Sequence, residues 1–143
     1  MKRALLFALF FLACGKGGSC DHDRRADAML LIGRVDQFRR ADNATKPSLV
    51  DDIRTTPCNE DDICAAKTAC LAFAEPTAKA LVTKHEVEVS LGAIEHGTLA
   101  KDTPEAQSLP AKVDAAEALL KDGQSKLDAC DSLLMGLRRT YRL

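Results

Sequence analysis

The apolar positions divide the chain into two unequal parts. Ala4 to Ala13 is an unbroken apolar run of ten residues behind Lys2 and Arg3. From about Asp21 onward, apolar residues recur at steps of three and four, the spacing of one face of an α-helix. In the first such stretch, Asp21 to Asp42, the face is Ala28, Leu31, Val35 and Phe38, with Arg24, Arg25, Arg34, Arg39 and Arg40 placed mostly elsewhere on the surface. Asn43 marks a break. Pro47 suits the first turn of a short second helix carrying Leu49, Val50 and Ile53, and Pro57 stops it. Asn59 is the expected N-cap of a third helix, with Glu60, Asp61 and Asp62 in a first turn where carboxylates favour the positive end of the helix dipole.

The third and last helices carry the clearest signal. The third continues Ile63, Ala66, Cys70 and Phe73, meets Pro76, and resumes through Ala80, Val87, Leu91 and Ile94 to an expected C-cap at Gly97. Thr103-Pro104-Glu105 opens the last stretch, and Pro110 is expected to start its long part. There Val113, Ala116, Leu120, Gly123, Leu127, Cys130, Leu134, Leu137 and Tyr141 form a heptad seam. The two seams mirror one another about position 100: Ile63 with Leu137, Ala66 with Leu134, Cys70 with Cys130, Phe73 with Leu127, Ala80 with Leu120 and Val87 with Val113. Facing residues of an antiparallel helical hairpin must mirror in this way. The predicted fold is therefore all-α: a small disulfide-tied bundle on a long hairpin of about residues 60–96 and 104–141, with the first helix packed on it.

Composition agrees. Beyond the apolar run only Phe38, Phe73 and Tyr141 are aromatic, fewer than β-rich domains use, and Ala, Leu and charged residues favour helices. The formal charge is −1, and losing Lys2 and Arg3 takes it to −3, not a nucleic-acid binder's balance. No phosphate loop or haem-attachment sequence is present, and no cofactor is predicted.

The apolar run is about half the length that spans a bilayer, and its charged start gives it the shape of an export signal. Phe11-Leu12-Ala13-Cys14 resembles the lipobox of bacterial lipoproteins, although an aliphatic residue is usual where Phe11 stands. The resemblance covers the first 14 residues only; no family is recognised for the mature domain. It implies a signal peptide over residues 1–13, a diacylglycerol thioether on Cys14 as the new N-terminus, a flexible tether through residue 20 and a helical domain over 21–143. An ordinary cut after Gly15 is the competing processing. Gly15 after the lipidated cysteine implies the outer membrane, facing the periplasm or the cell surface. Lipidation at Cys20, whose preceding residues match the pattern poorly, would place Asp21 next to it and imply the inner membrane.

Export puts the remaining cysteines where disulfides persist. The mirrored seams set Cys70 across from Cys130, and this pair is the predicted bridge of the hairpin. Cys58 and Cys64 form the second predicted pair, leaving Cys20 as a possible free thiol. Zinc at residues 58, 64, 70 and 130 is the weaker reading, because tight zinc sites use shorter Cys-x-x-Cys spacings. His85 with Glu88 could make half a metal site, but no metal-ligand motif completes it, and no Ser, His and Asp constellation points to catalysis. Arg138, Arg139 and Arg142 suit the negative end of the last helix; a docking patch for an acidic partner or anionic headgroups is the sharper reading. The sequence reads as a membrane-tethered, non-catalytic binding or assembly module of the cell envelope. Its expected partners are the membrane, through the lipid, and an envelope protein, with oligomeric state open. The alternative is a periplasmic redox or metal-handling protein using Cys20 or His85.

Overall fold

The computed structural model describes residues 19–143, in which four helices follow one another: α1 (Ser19–Arg40), α2 (Lys46–Thr55), α3 (Asp61–Glu95) and α4 (Pro104–Tyr141). The expected signal peptide, the lipidated Cys14 and most of the tether, residues 1–18, lie outside the described residues. α1 begins at Ser19, two residues earlier than the apolar pattern suggests, so Cys20 falls in its first turn.

α3 and α4 are the long antiparallel hairpin. Their register is the mirrored one. Cys70 and Cys130 are joined, with Cα atoms 4.6 Å apart and both side chains fully buried. Past Pro76 the mirror still holds: a Cβ at Gly123 would lie 2.5 Å from the Thr77 hydroxyl and 3.0 Å from the Phe73 carbonyl. Only glycine lets the two backbones approach this closely. α3 runs unbroken through Pro76. At the turn, Gly97 adopts φ +72° and its N–H bonds Ile94 O at 3.1 Å, a left-handed helix stop. Thr103 Oγ1 then caps α4 by accepting from Ala106 N.

α1 runs parallel to α3 and lies across both arms of the hairpin. Its stripe of Ala28, Leu31, Val35 and Phe38 meets Ile63, Ala66, Cys70 and Ala74 from one arm and Cys130, Leu134 and Leu137 from the other. Phe38 packs edge-on to Phe73, with ring centroids 5.6 Å apart. α2 returns antiparallel along α3, burying Leu49, Val50 and Ile53. Arg54 to Glu75 at 2.9 Å and Lys67 Nζ to Thr56 O at 2.7 Å fix its far side.

Four expectations change. Asn59 is not the cap of α3: Glu60 holds that position, and the Asn59 side chain instead donates to Asp27 at 2.9 Å. The tertiary partner outcompetes a local one. Pro110 does not start a helix, because Thr103 and Pro104 already nucleate α4, which continues through it. Arg39 is half-buried rather than free on the surface. Its guanidinium lies 5.9 Å from the Phe73 ring centroid, donates to Asp131 and reaches Cys130 Sγ at 3.5 Å. Stacking on an aromatic face suits the planar, weakly hydrated guanidinium. Finally, the hairpin seam is not core along its whole length, because α1 ends well short of its far end and α2 packs along α3 and not over the seam with α4.

Candidate functional site

Ion pairs fix which end of the bundle is which. Arg24 bonds Glu60 at 2.8 Å and Arg25 donates to Arg142 O at 3.3 Å. The start of α1 therefore sits beside the start of α3 and the end of α4. At its other end Arg39 meets Asp131 on α4 and the Phe73 ring on α3, within the proximal third of the hairpin. α3 has 35 residues, about 52 Å at 1.5 Å per residue. On the face that α1 covers, the hairpin thus continues past the end of α1 with no helix of the described residues laid over it, while α2 and the α1–α2 connection flank only α3, as far as His85 and Glu88.

That continuation carries the candidate site. Leu81, Lys84, Glu88 and Leu91 on α3, with Val113, Glu117 and Leu120 on α4, line an open trough of about 360 Å³ floored by Ala80, Val87 and Ala116. Leu91, Val113 and Leu120 are 48 %, 41 % and 40 % exposed, where the heptad pattern led us to expect core. They lie on the face that α1 covers lower down. With α1 ended, nothing among the described residues covers them. Leu81, Lys84 and Glu88 also border a second hollow, shared with Asn43, Ala44, Pro47, Val82 and His85. The apolar shelf thus widens toward the α1–α2 connection.

The charges on this surface are few. Lys84 pairs with Glu88 at 3.9 Å, one turn apart, and Lys112 pairs with Glu86 at 3.7 Å. Glu117 has no ion-pair partner among the described residues. His85 is exposed on α3, and Glu88 turns to Lys84 rather than to it. No group of three or more His, Cys, Asp or Glu among the described residues is placed to hold a metal ion.

The cysteines sit away from the trough. Cys70–Cys130 lies in the proximal core. Cys58–Cys64, with Cα atoms 5.0 Å apart, closes the connection from α2 into the first turn of α3. Of the C-terminal arginines, Arg138 meets Asp36 at 3.3 Å, while Arg139 and Arg142 are exposed and the Arg142 carbonyl accepts from Arg25. Nearby the Tyr141 hydroxyl donates to Asp62 at 3.1 Å, and partial burial with that carboxylate raises the Tyr141 pKa above 10.0. Asp42 accepts from the Thr45 amide at 2.8 Å and hydroxyl at 3.1 Å, which hold its carboxyl below 3.8.

Sequence reasoning did not find the trough. The signal was present, since the predicted first helix is far shorter than the hairpin arms and cannot cover both halves. Comparisons of the chain with protein-family models, with curated proteins and with solved structures return no match.

Proposed function

We propose that this protein is a lipid-tethered, non-catalytic binding or assembly module of the bacterial cell envelope. The observation that carries the reading is the uncovered distal seam of the hairpin, at the end of the bundle opposite the start of α1. Cys14 lies five residues before α1 in the sequence. A lipid there would hold the proximal end at the membrane and point the distal end away from it. Each buried lipid methylene contributes about 0.8 kcal/mol, so several acyl chains make the attachment durable. Confinement raises the effective concentration at which a neighbouring partner meets the exposed helices. The proximal half supplies rigidity: two disulfides and a core of α1, α2 and both hairpin arms.

Two measurements test the reading. Peptide mass spectrometry of protein extracted from membranes, alkylated without reduction, is expected to give a diacylglyceryl-modified Cys14 as N-terminus. An N-terminus at Lys16 without lipid would remove the tether. A photo-crosslinking residue at Val113 is expected to give a discrete adduct with an envelope protein, and one at Met29 on α1 is not. A strongly reactive Cys20 or stoichiometric metal in the purified protein would instead favour redox or metal handling.

A further inference from the structure

We propose that the distal trough docks one amphipathic α-helix of a partner protein, laid along the hairpin as a continuation of α1. This rests on the binding-module reading and names its surface and the chemistry of its ligand.

The first argument is continuity with an interface the protein already makes. In the proximal part, the face between α3 and α4 is filled by the apolar stripe of α1. The same face continues past the end of α1 as the trough between Leu81, Leu91, Val113 and Leu120. A surface that accepts Leu31, Val35 and Phe38 from one helix presents the same kind of apolar ridge and small-residue floor to the next. Helix-in-groove recognition uses such anchors at three- and four-residue steps.

Size and shape select a single helix. From Ala80 to the end of α3 at Glu95 is about 22 Å of hairpin, which matches a helix of about 15 residues. α1 stands on the same face and forms a step one helix high at the proximal end of the trough. A lone helix fits against that step. A second copy of the chain fits poorly. Two copies aligned in the same direction would be held apart by two layers of α1, and two copies in opposite directions could not both be tethered to one membrane.

Charge sets the ligand's polarity. Lys84 and Glu88 answer one another, while Glu117 on the α4 rim has no ion-pair partner among the described residues. The docked helix therefore carries Lys or Arg on the flank that meets α4.

The test uses synthetic probes of about 16 residues, the length of four and a half turns. One has leucines on a helical stripe and lysines on the flanks; the other replaces lysine by glutamate. Binding is read by fluorescence anisotropy against the full chain in zwitterionic nanodiscs, with empty discs as blank. The lysine probe is expected to bind, and Leu91→Asp and Leu120→Asp each to weaken it about tenfold or more, the loss of a buried anchor. Glu117→Lys is expected to reverse the preference between probes, while Met29→Asp on the outer face of α1 changes nothing. Both leucines are substantially exposed, so these variants keep the fold, as far-ultraviolet circular dichroism would check. No binding by either probe overturns the proposal, as does binding insensitive to Leu91 and Leu120. Self-association of the wild type that these substitutions abolish would place a second copy in the trough and also overturn it. The Cys14 lipid is read separately by mass spectrometry, so loss of the tether and loss of the docking site are distinct results.

Discussion

Gly123 gives the sharpest test of how closely the hairpin arms approach. Glycine inside an exposed helix costs about 1 kcal/mol relative to alanine, so Gly→Ala in α4 should stabilise wherever space allows. Gly136, in the same helix, has nothing within 4 Å of an added Cβ. Gly136→Ala is expected to add about 0.5–1 kcal/mol. At Gly123 the methyl would meet Thr77 Oγ1 at 2.5 Å and Phe73 O at 3.0 Å. The hydroxyl could rotate only by giving up its 2.8 Å bond to that same carbonyl, and the carbonyl belongs to the helix backbone. The arms must separate, and forced overpacking of this kind costs about 1–3 kcal/mol. This outweighs the propensity gain, leaving Gly123→Ala net destabilised by about 1–2 kcal/mol. Thr77→Ala combined with Gly123→Ala should recover part of the loss, because it removes one of the two contacts. Urea unfolding followed by circular dichroism, with wild type, both single glycine variants and the double variant, reads all four. If Gly123→Ala is as stabilising as Gly136→Ala, the close approach of α3 and α4 past Pro76 is refuted, and with it the register that forms the trough.

The other predictions concern the staples, the core and two titrating groups. Replacing Cys70 and Cys130 together by alanine opens a loop of 60 residues and should cost roughly 4 kcal/mol in the chain-entropy picture, against about 2 kcal/mol for Cys58 with Cys64, whose loop is six; calorimetry of each pair variant measures the ratio. Leu134 is fully buried and Leu120 is 40 % exposed, so Leu134→Ala should cost about 2–5 kcal/mol and Leu120→Ala far less; equal losses in urea unfolding would show the trough to be covered. The Asp42 carboxyl is held below 3.8, so its stabilisation is present above that pH and is lost as pH falls through the lowered folded value. The stability gap between wild type and Asp42→Ala should therefore shrink in acid. Tyr141 is raised above 10.0, so its contribution is present below that value and is lost as pH rises toward the folded one; Tyr141→Phe should flatten the alkaline limb of the stability curve.

Much of this fold is legible in the sequence. Two heptad seams that mirror about one point specify an antiparallel pair with its register, because facing helices must bring their apolar residues to common levels. The same arithmetic set Cys70 across from Cys130, and the pair is joined. Gly97 and Thr103-Pro104 marked the turn by local backbone chemistry alone. What escaped the pattern depended on competition between distant groups. Asn59 had the chemistry of a cap, but Asp27 lay within reach once α1 had packed. Arg39 looked like one of five surface arginines until the aromatic face of Phe73 and the carboxylate of Asp131 drew it inward.

The candidate site belongs wholly to this second kind of information. Periodicity reports which residues share a face and says nothing of whether a third helix covers it. Leu91, Val113 and Leu120 continue the seam that buries Cys130 and Leu134, with the same spacing and the same residue types. Coverage is a matter of where α1 ends, and α1 has 22 residues against 35 and 38 in the arms. The sequence by itself determined the helices, their pairing and their staples, since these follow from local propensity and one-dimensional register. The tertiary structure alone decided which part of the hairpin seam is core and which is surface, because burial depends on the reach of an element distant in the chain.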